Sequence, residues 1–297
     1  MTSHESTAEP PIGALTALPD VSRGELFELE LYGGPSERRY HRMRPEILQM
    51  PWGSLADSLA KHPIPAAELV RAQRAWTGAA FQEHRTAVAC AATLRALLEA
   101  RAPIDLIGLA TRFPLDEMAH VELASRMTLE LGGATEIRYV PGDVLRDPDA
   151  DLPNLLRAAD MVVRFFCVGE ALSIPLLRGA AHAARHPLAR AVLHRIVRDE
   201  ASHGVFGFTF LDWAEPLLSD ADRVHLGHAA DRTIRATQQQ WASIATSLRE
   251  ETEHDALAWM HSEAYLALAR RSMARSVVAP LRRRGIPIHA WPEVFVE

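Results

Sequence analysis

The feature that most constrains this chain is a repeated motif, Asp-Glu-x-x-His, found at Asp116 to His120 and again at Asp199 to His203. On a helix, residues three apart share a face. Glu117 with His120, and Glu200 with His203, can therefore each aim a carboxylate oxygen and an imidazole nitrogen at one point. That is a metal-ligand geometry. With 23 Glu and 14 His in 297 residues, about one Glu-x-x-His is expected by accident, and roughly 0.05 once Asp must precede the Glu. A third Glu-x-x-His, Glu251 to His254, sits in the polar run 249–255 and reads as accidental.

Each motif has an acid upstream at the distance of a helical hairpin: Glu83 lies 34 residues before Glu117, and Glu170 lies 30 before Glu200. With the first hairpin turning near Ala102, Glu83 stands roughly 28 Å from the turn and Glu117 roughly 22 Å, at about 1.5 Å per residue. The second, turning near His186, gives roughly 24 and 21 Å by the same rise. All six side chains can meet at one level of a four-helix bundle.

The rest of the chain agrees with an all-α fold. Ala, Leu and Arg are plentiful, β-branched and aromatic runs are few, and the long apolar patterns have a 3.6-residue period. A hydrophobic fraction of 48% can fill a sizeable core. A net charge of -6 argues against a nucleic-acid partner. No run of 18 apolar residues offers a membrane span, and Met1 to Glu5 lacks the pattern of a signal peptide, so a cytoplasmic location is expected. Cys90 and Cys167, both in apolar helical settings, read as buried thiols rather than a disulfide.

Three regions are expected. Residues 1–64 form an N-terminal arm: a Pro-rich lead-in to residue 20, a strand or extended piece at Glu25 to Tyr32, mixed sequence from Arg38 to Trp52, and a short helix at Ser54 to Lys61. Residues 65–216 carry the bundle, in four helices at 66–100, 104–131, 152–184 and from Pro187 onward. They are joined by a crossover loop at 134–151 with an extended piece at Ile137 to Val140. Residues 217–297 supply two more helices, at 220–249 and 255–284, that buttress the bundle or form a dimer surface, and a tail from Ile286 that packs down.

Pro114 and Pro175 each remove a backbone donor near an expected ligand, which predicts a kink or a new helix start. A splayed bundle at that level would leave room for a substrate beside Phe113, Phe166 and Ile174. The aromatic run Phe206, Phe208, Phe210 and Trp213 reads as core. Glu83 lies on an apolar helix face with Trp76, Ala79, Ala80 and Cys90. Its bland reading is an exposed helical glutamate, but acids rarely occupy a buried face unpaired.

Four carboxylates and two imidazoles form a hard donor set, better suited to iron or manganese than to zinc or copper(I). Metal-bound histidines usually donate their second N–H to a carboxylate. Asp116 and Asp199 each point roughly 100° away from the adjacent Glu, so the expected pairs cross between helices: Asp116 with His203, Asp199 with His120. The competing reading pairs them with Arg112 or Arg198.

Glu83, Glu117 with His120, Glu170, and Glu200 with His203 resemble the ligand set of the ferritin-like di-iron carboxylate superfamily, a Glu from two helices and Glu-x-x-His from two others. The resemblance covers about residues 66–216. It implies two iron ions (or one manganese and one iron), O2 as co-substrate, and an external electron donor such as a ferredoxin or reductase. A homodimer and a small or carrier-bound organic substrate complete the expectation. Subfamily marks are missing: Ala124 stands where reductase small subunits carry a radical tyrosine, and Ile196 where aminobenzoate N-oxygenases add a histidine. Ile174, beside Ser173, stands where multicomponent hydroxylases have a threonine.

The expected activity is O2-dependent hydroxylation, desaturation or N-oxygenation. The alternative is a ferroxidase or peroxide-scavenging protein, against which some 80 residues beyond the bundle count. A metal-free bundle that only binds a partner would have to bury its acids and imidazoles at considerable expense.

Overall fold

Proline marks where the helices begin. Pro65, Pro103 and Pro153 immediately precede helices, and Pro187 is the first residue of another. A fixed φ and a missing N–H do no harm there, because the first-turn donors have no helical partner anyway. A computed structural model describes residues 24–144, 148, 150–247 and 260–291. Its helices are α1 (Gly34–Met43), α2 (Ser54–Lys61), α3 (Ala66–Glu99), α4 (Ile104–Ala110), α5 (Phe113–Glu130), α6 (Asn154–Val162), α7 (Ala171–Ala183), α8 (Pro187–Ala214), α9 (Asp220–Ser247), α10 (Ser262–Ser272) and α11 (Ala279–Arg283). A π-wound segment, Val163–Glu170, joins α6 to α7, and another, Met273–Val278, joins α10 to α11.

The expected helix at 104–131 is two helices. Pro114 is the second residue of α5, so the missing donor starts a new helix instead of kinking an old one. Pro175 stays inside α7. The mixed stretch from Arg38 is also helical, because Pro35 opens α1 and the chain then runs through a 3₁₀ turn at Pro45–Ile47 into α2. The last helical stretch begins at Ser262, while its expected start at Asp255, and the Glu251 to His254 sequence, lie outside the described residues.

The two extended pieces find each other. Strand β1 (Glu25–Leu26) pairs antiparallel with β2 (Arg138–Tyr139), Glu25 opposite Tyr139 and Leu26 opposite Arg138. Gly24 permits the approach, since a Cβ there would lie 2.5 Å from the Tyr139 carbonyl oxygen. Phe27, Phe81 and Tyr139 pack edge to face, tying this small sheet to α3.

Helix α3 packs along α5, and α7 along α8, while α5 touches α8 and α3 touches the first π-wound segment and α6. Their apolar side chains form two clusters. One holds Ala72, Trp76, Ala80, Leu123, Met127, Leu177, Leu188 and Val192. The other holds Cys90, Leu97, Phe113, Phe166, Leu172, Phe206 and Phe210. Residues 83, 117, 120, 170, 200 and 203 belong to neither, and on α3 and α8 they fall in the interval between the two. The polar level is sandwiched along the helix axes between two dry regions.

The C-terminal helices join the second cluster directly, through Leu226, Ile234, Leu266, Met273 and Leu281, with Ile286 and Ile288 packing after them. No described helix is long and apolar enough to cross a membrane.

Candidate metal centre

The sequence places Glu117 and His120 one turn apart on α5, and Glu200 and His203 one turn apart on α8; packing brings these turns face to face with Glu83 of α3 and Glu170 at the end of the π-wound segment. Two groups result. Glu83, Glu117, His120 and Glu200 can offer ligand atoms all within 4.8 Å of one another, and so can Glu117, Glu170, Glu200 and His203. Glu117 and Glu200 belong to both, so the six residues form two adjoining sites with two shared carboxylates.

The imidazoles show which nitrogen faces which way. His120 turns Nδ1 inward, 3.2 Å from Glu200, 3.5 Å from Glu117 and 3.7 Å from Glu83. His203 does the same, with Nδ1 2.9 Å from Glu117 and 3.0 Å from Glu200. The ring centroids are 6.5 Å apart. The opposite nitrogens meet the aspartates across the helix pair: His203 Nε2 lies 3.4 Å from Asp116, and His120 Nε2 3.4 Å from Asp199. An ionised aspartate can only accept, so each Nε2 carries the proton and each Nδ1 is left as a donor atom for a cation.

The aspartates also meet arginines. Arg112 Nε reaches Asp116 at 3.0 Å and its Nη2 lies 3.6 Å from Asp199. Arg195 donates from Nε to Asp199 at 2.9 Å. Pairing with histidine and with arginine therefore coexist at the same carboxylates. Arg195, four residues before Asp199, shares its helix face, whereas the adjacent Arg198 points elsewhere, which is why Arg195 takes the place expected of Arg198.

Sequence reasoning missed Arg44, just past α1. Its guanidinium donates to Asp116 from Nη1, to Asp199 from Nη2 and to Glu46 from Nε. Partners 72 and 155 residues away leave no local signal. Ser173 also bears on the site, donating its hydroxyl to Glu170 Oε2 at 3.1 Å.

Electrostatics show how uncomfortable the site is without a cation. Burial pushes the Glu83 carboxyl up to about 8 despite His120 beside it, although 14% of its side chain stays exposed. Burial, then the charges of Glu200 and Glu117, hold Glu170 well above the usual carboxylate range. Burial would depress both histidines, but the carboxylates outweigh it: His120 rises well above its ordinary value and His203 to about 12. Glu200 is depressed, its burial overcome by the two imidazoles. Deprived of metal, the cluster must hold protons.

Both oxygens of Glu117, Oε2 of Glu200 and Nδ1 of both histidines are buried with no hydrogen bond meeting normal geometry. The close contacts above are ion-pair distances whose directions do not suit N–H···O bonds. Buried polar atoms left in this way cost free energy unless something satisfies them. Two dications among four carboxylates and two neutral imidazoles would satisfy them and cancel the formal charge.

Phe113 and Phe166, 1% exposed each, pack with Phe206 at centroid distances of 5.0 to 5.4 Å, and Phe113 lies 4.3 Å from the His203 ring. Ile174 is buried with its Cδ1 against Gly204. Of these three residues, Phe113 packs directly on a cluster side chain, the His203 ring. Cys90 and Cys167 are free and buried, their thiols pushed up by burial, which keeps both protonated.

Comparison with protein-family models, with curated proteins and with solved structures returned no match.

Proposed function

We propose that this chain is a ferritin-like four-helix-bundle protein with a resident dinuclear iron centre, an O2-dependent oxidoreductase acting on a small or carrier-bound organic substrate. The observation that carries the reading is the pair of adjoining four-residue groups sharing Glu117 and Glu200. Two carboxylates common to both groups favour two ions held side by side over a single structural ion. The oxygen-rich donor set favours iron or manganese over zinc, and the unpartnered buried polar atoms of Glu117, Glu200, His120 and His203 fit the demand of such a centre. Zinc in structural sites is usually enclosed by thiolates and imidazoles, and both thiols here stay protonated.

Glu83 and His120 would complete one ion's set, Glu170 and His203 the other's. When bound and reduced, such a centre supplies two electrons to O2. The protein's own part is to orient and to exclude. Asp116 and Asp199 hold the Nε2 protons of His203 and His120 and leave Nδ1 free to bind. Ser173 holds one oxygen of Glu170. Phe113, Phe166 and Phe206 keep water from the His203 side. Electrons come from an external donor.

Anaerobic titration of the metal-free protein with ferrous iron, followed by admission of O2, tests the reading. Two ions per chain and O2 uptake, with the iron retained through repeated reduction, are expected. No ferrous binding, or ferric iron accumulating far beyond two per chain, would overturn it, the latter in favour of a ferroxidase.

A further inference from the structure

The two aspartates behind the histidines sit on different helices, and one side chain from outside the four helices joins them. Arg44 follows α1 and precedes the 3₁₀ turn, and its side chain is 5% exposed. Nη1 serves Asp116, Nη2 serves Asp199 and Nε serves Glu46. Every edge of the guanidinium is thus occupied by a carboxylate, and its orientation is determined three times over. The other two cations differ. Arg112 is 60% exposed and approaches Asp199 only at 3.6 Å, while Arg195 is an i to i+4 partner of Asp199 alone.

Arg44 is itself clamped from both sides. Before it, Tyr40 donates its hydroxyl to the Met118 carbonyl and His41 lies 2.9 Å from Glu122, both on α5. After it, Ile47 and Leu55 are fully buried in the first apolar cluster. Glu130, at the end of α5, accepts from the backbone N–H groups of Gly53, Leu55 and Ala56. The segment from Gly34 to Lys61 is therefore anchored along α5 at each end of the stretch that carries Arg44.

We infer that Arg44 is a positioning residue for the dinuclear centre: by fixing Asp116 and Asp199 with one rigid fork, it sets the tautomer and the aim of His203 and His120 together. The inference rests on the metal-centre reading above. Its mechanical content is a series of links, from Arg44 to each aspartate, from each aspartate to the Nε2 of a histidine on the opposite helix, and from that ring's Nδ1 to the cluster. Without the fork, Asp116 keeps Arg112 and Asp199 keeps Arg195, and only the long 3.6 Å reach of the exposed Arg112 to Asp199 still spans the pair.

The test uses the full chain with Co(II) as probe, read by calorimetric affinity and by the visible absorption of the bound ions, in wild type, Arg44→Gln, Arg44→Lys and Asp116→Asn. Loss of a partner behind a metal-bound histidine typically weakens binding about 10- to 100-fold. Asp116→Asn is expected to weaken chiefly one Co(II) ion by that factor, whereas Arg44→Gln, one link further out, is expected to weaken both ions by a smaller factor and to alter the absorption of both. Arg44→Lys is not expected to restore wild-type spectra, because one ammonium lacks the planar two-nitrogen fork. Arg44→Gln with wild-type affinity and spectrum would overturn the inference and leave the metal centre standing. So would full rescue by lysine, which would show that charge alone matters. If Arg44→Gln does not fold, Arg44→Lys carries the test on the same readouts. Wild-type protein that binds no Co(II) overturns both readings at once, which separates the two failures.

Discussion

Glu170→Gln separates the metal reading from a merely structural role for the cluster, because the two predict different consequences in the presence and absence of metal. In the metal-free protein the Glu170 carboxyl is held well above its ordinary range by burial and by Glu200 and Glu117. Its charged form is therefore disfavoured there relative to an ordinary carboxylate. An amide of the same shape, next to the same Ser173 hydroxyl, should change metal-free stability by no more than the net worth of one hydrogen bond, about 1 kcal/mol. With metal present the consequence changes, since glutamine withdraws an anionic ligand from the group formed with Glu117, Glu200 and His203. An ion at about 100 times its dissociation constant stabilises the folded state by about 2.7 kcal/mol. The unfolding entropy of a 297-residue chain is about 0.6 kcal/mol/K, so the metal-induced rise in Tm should shrink by about 4 °C for each ion lost. Differential scanning calorimetry with and without ferrous or cobaltous ion, paired with metal analysis, reads both quantities. A variant that keeps two ions per chain and the full rise in Tm would refute the assignment of Glu170 to the centre. A large loss of stability without metal would refute the claim that burial, Glu200 and Glu117 disfavour its charged form there.

Stability of the metal-free protein should fall as pH rises from about 5 to 8. Glu83, Glu170, His120 and His203 are all held above their unfolded values and outnumber the half-exposed His84 and His186, which burial holds below theirs, so in that window the folded state binds more protons than the unfolded chain and raising the pH removes the four groups' stabilisation. Metal binding at pH 7 should correspondingly release protons, measurable by calorimetry in buffers of different ionisation enthalpy; a Tm that rises or stays flat across the window contradicts this. On α8, Gly207→Ala would place its Cβ 2.8 Å from Phe166 Cβ and Cys167 Sγ and 3.0 Å from the Cys167 backbone nitrogen. Overpacking of about 1–3 kcal/mol should outweigh the roughly 1 kcal/mol gained from helix propensity. Gly204→Ala meets chiefly the mobile Cδ1 tip of Ile174, so chemical denaturation should find it neutral or slightly stabilising, and the reverse ranking of the two variants would refute the packing argument.

What could be read along the chain was whatever repeats at a local spacing. The 3.6-residue period and the prolines mark both ends of α3 and the start of α8 to within a residue or two. The i to i+3 spacing puts Glu and His on one face whatever surrounds them, and similar distances from each turn bring Glu83 and Glu170 near the level of their partner motifs. Even the crossed partners, Asp116 with His203 and Asp199 with His120, follow from the angle between adjacent residues on a helix. The π-wound turn that ends at Glu170 was not legible, because α and π winding share the same apolar sequence and differ only in which carbonyl each amide finds.

Arg44 shows the limit most plainly. Nothing near it in sequence distinguishes it from Arg38, Arg39 or Arg42, and its carboxylates lie on helices 72 and 155 residues away. Its role arises because the Gly34 to Lys61 segment docks on α5 and carries the guanidinium to the one place where both aspartates are in reach. Local spacing determined which side chains share a face and at what height along a helix they lie. Packing alone decided which faces meet, because a contact between distant segments depends on how whole surfaces fit and exclude water, and no short stretch of chain contains that information.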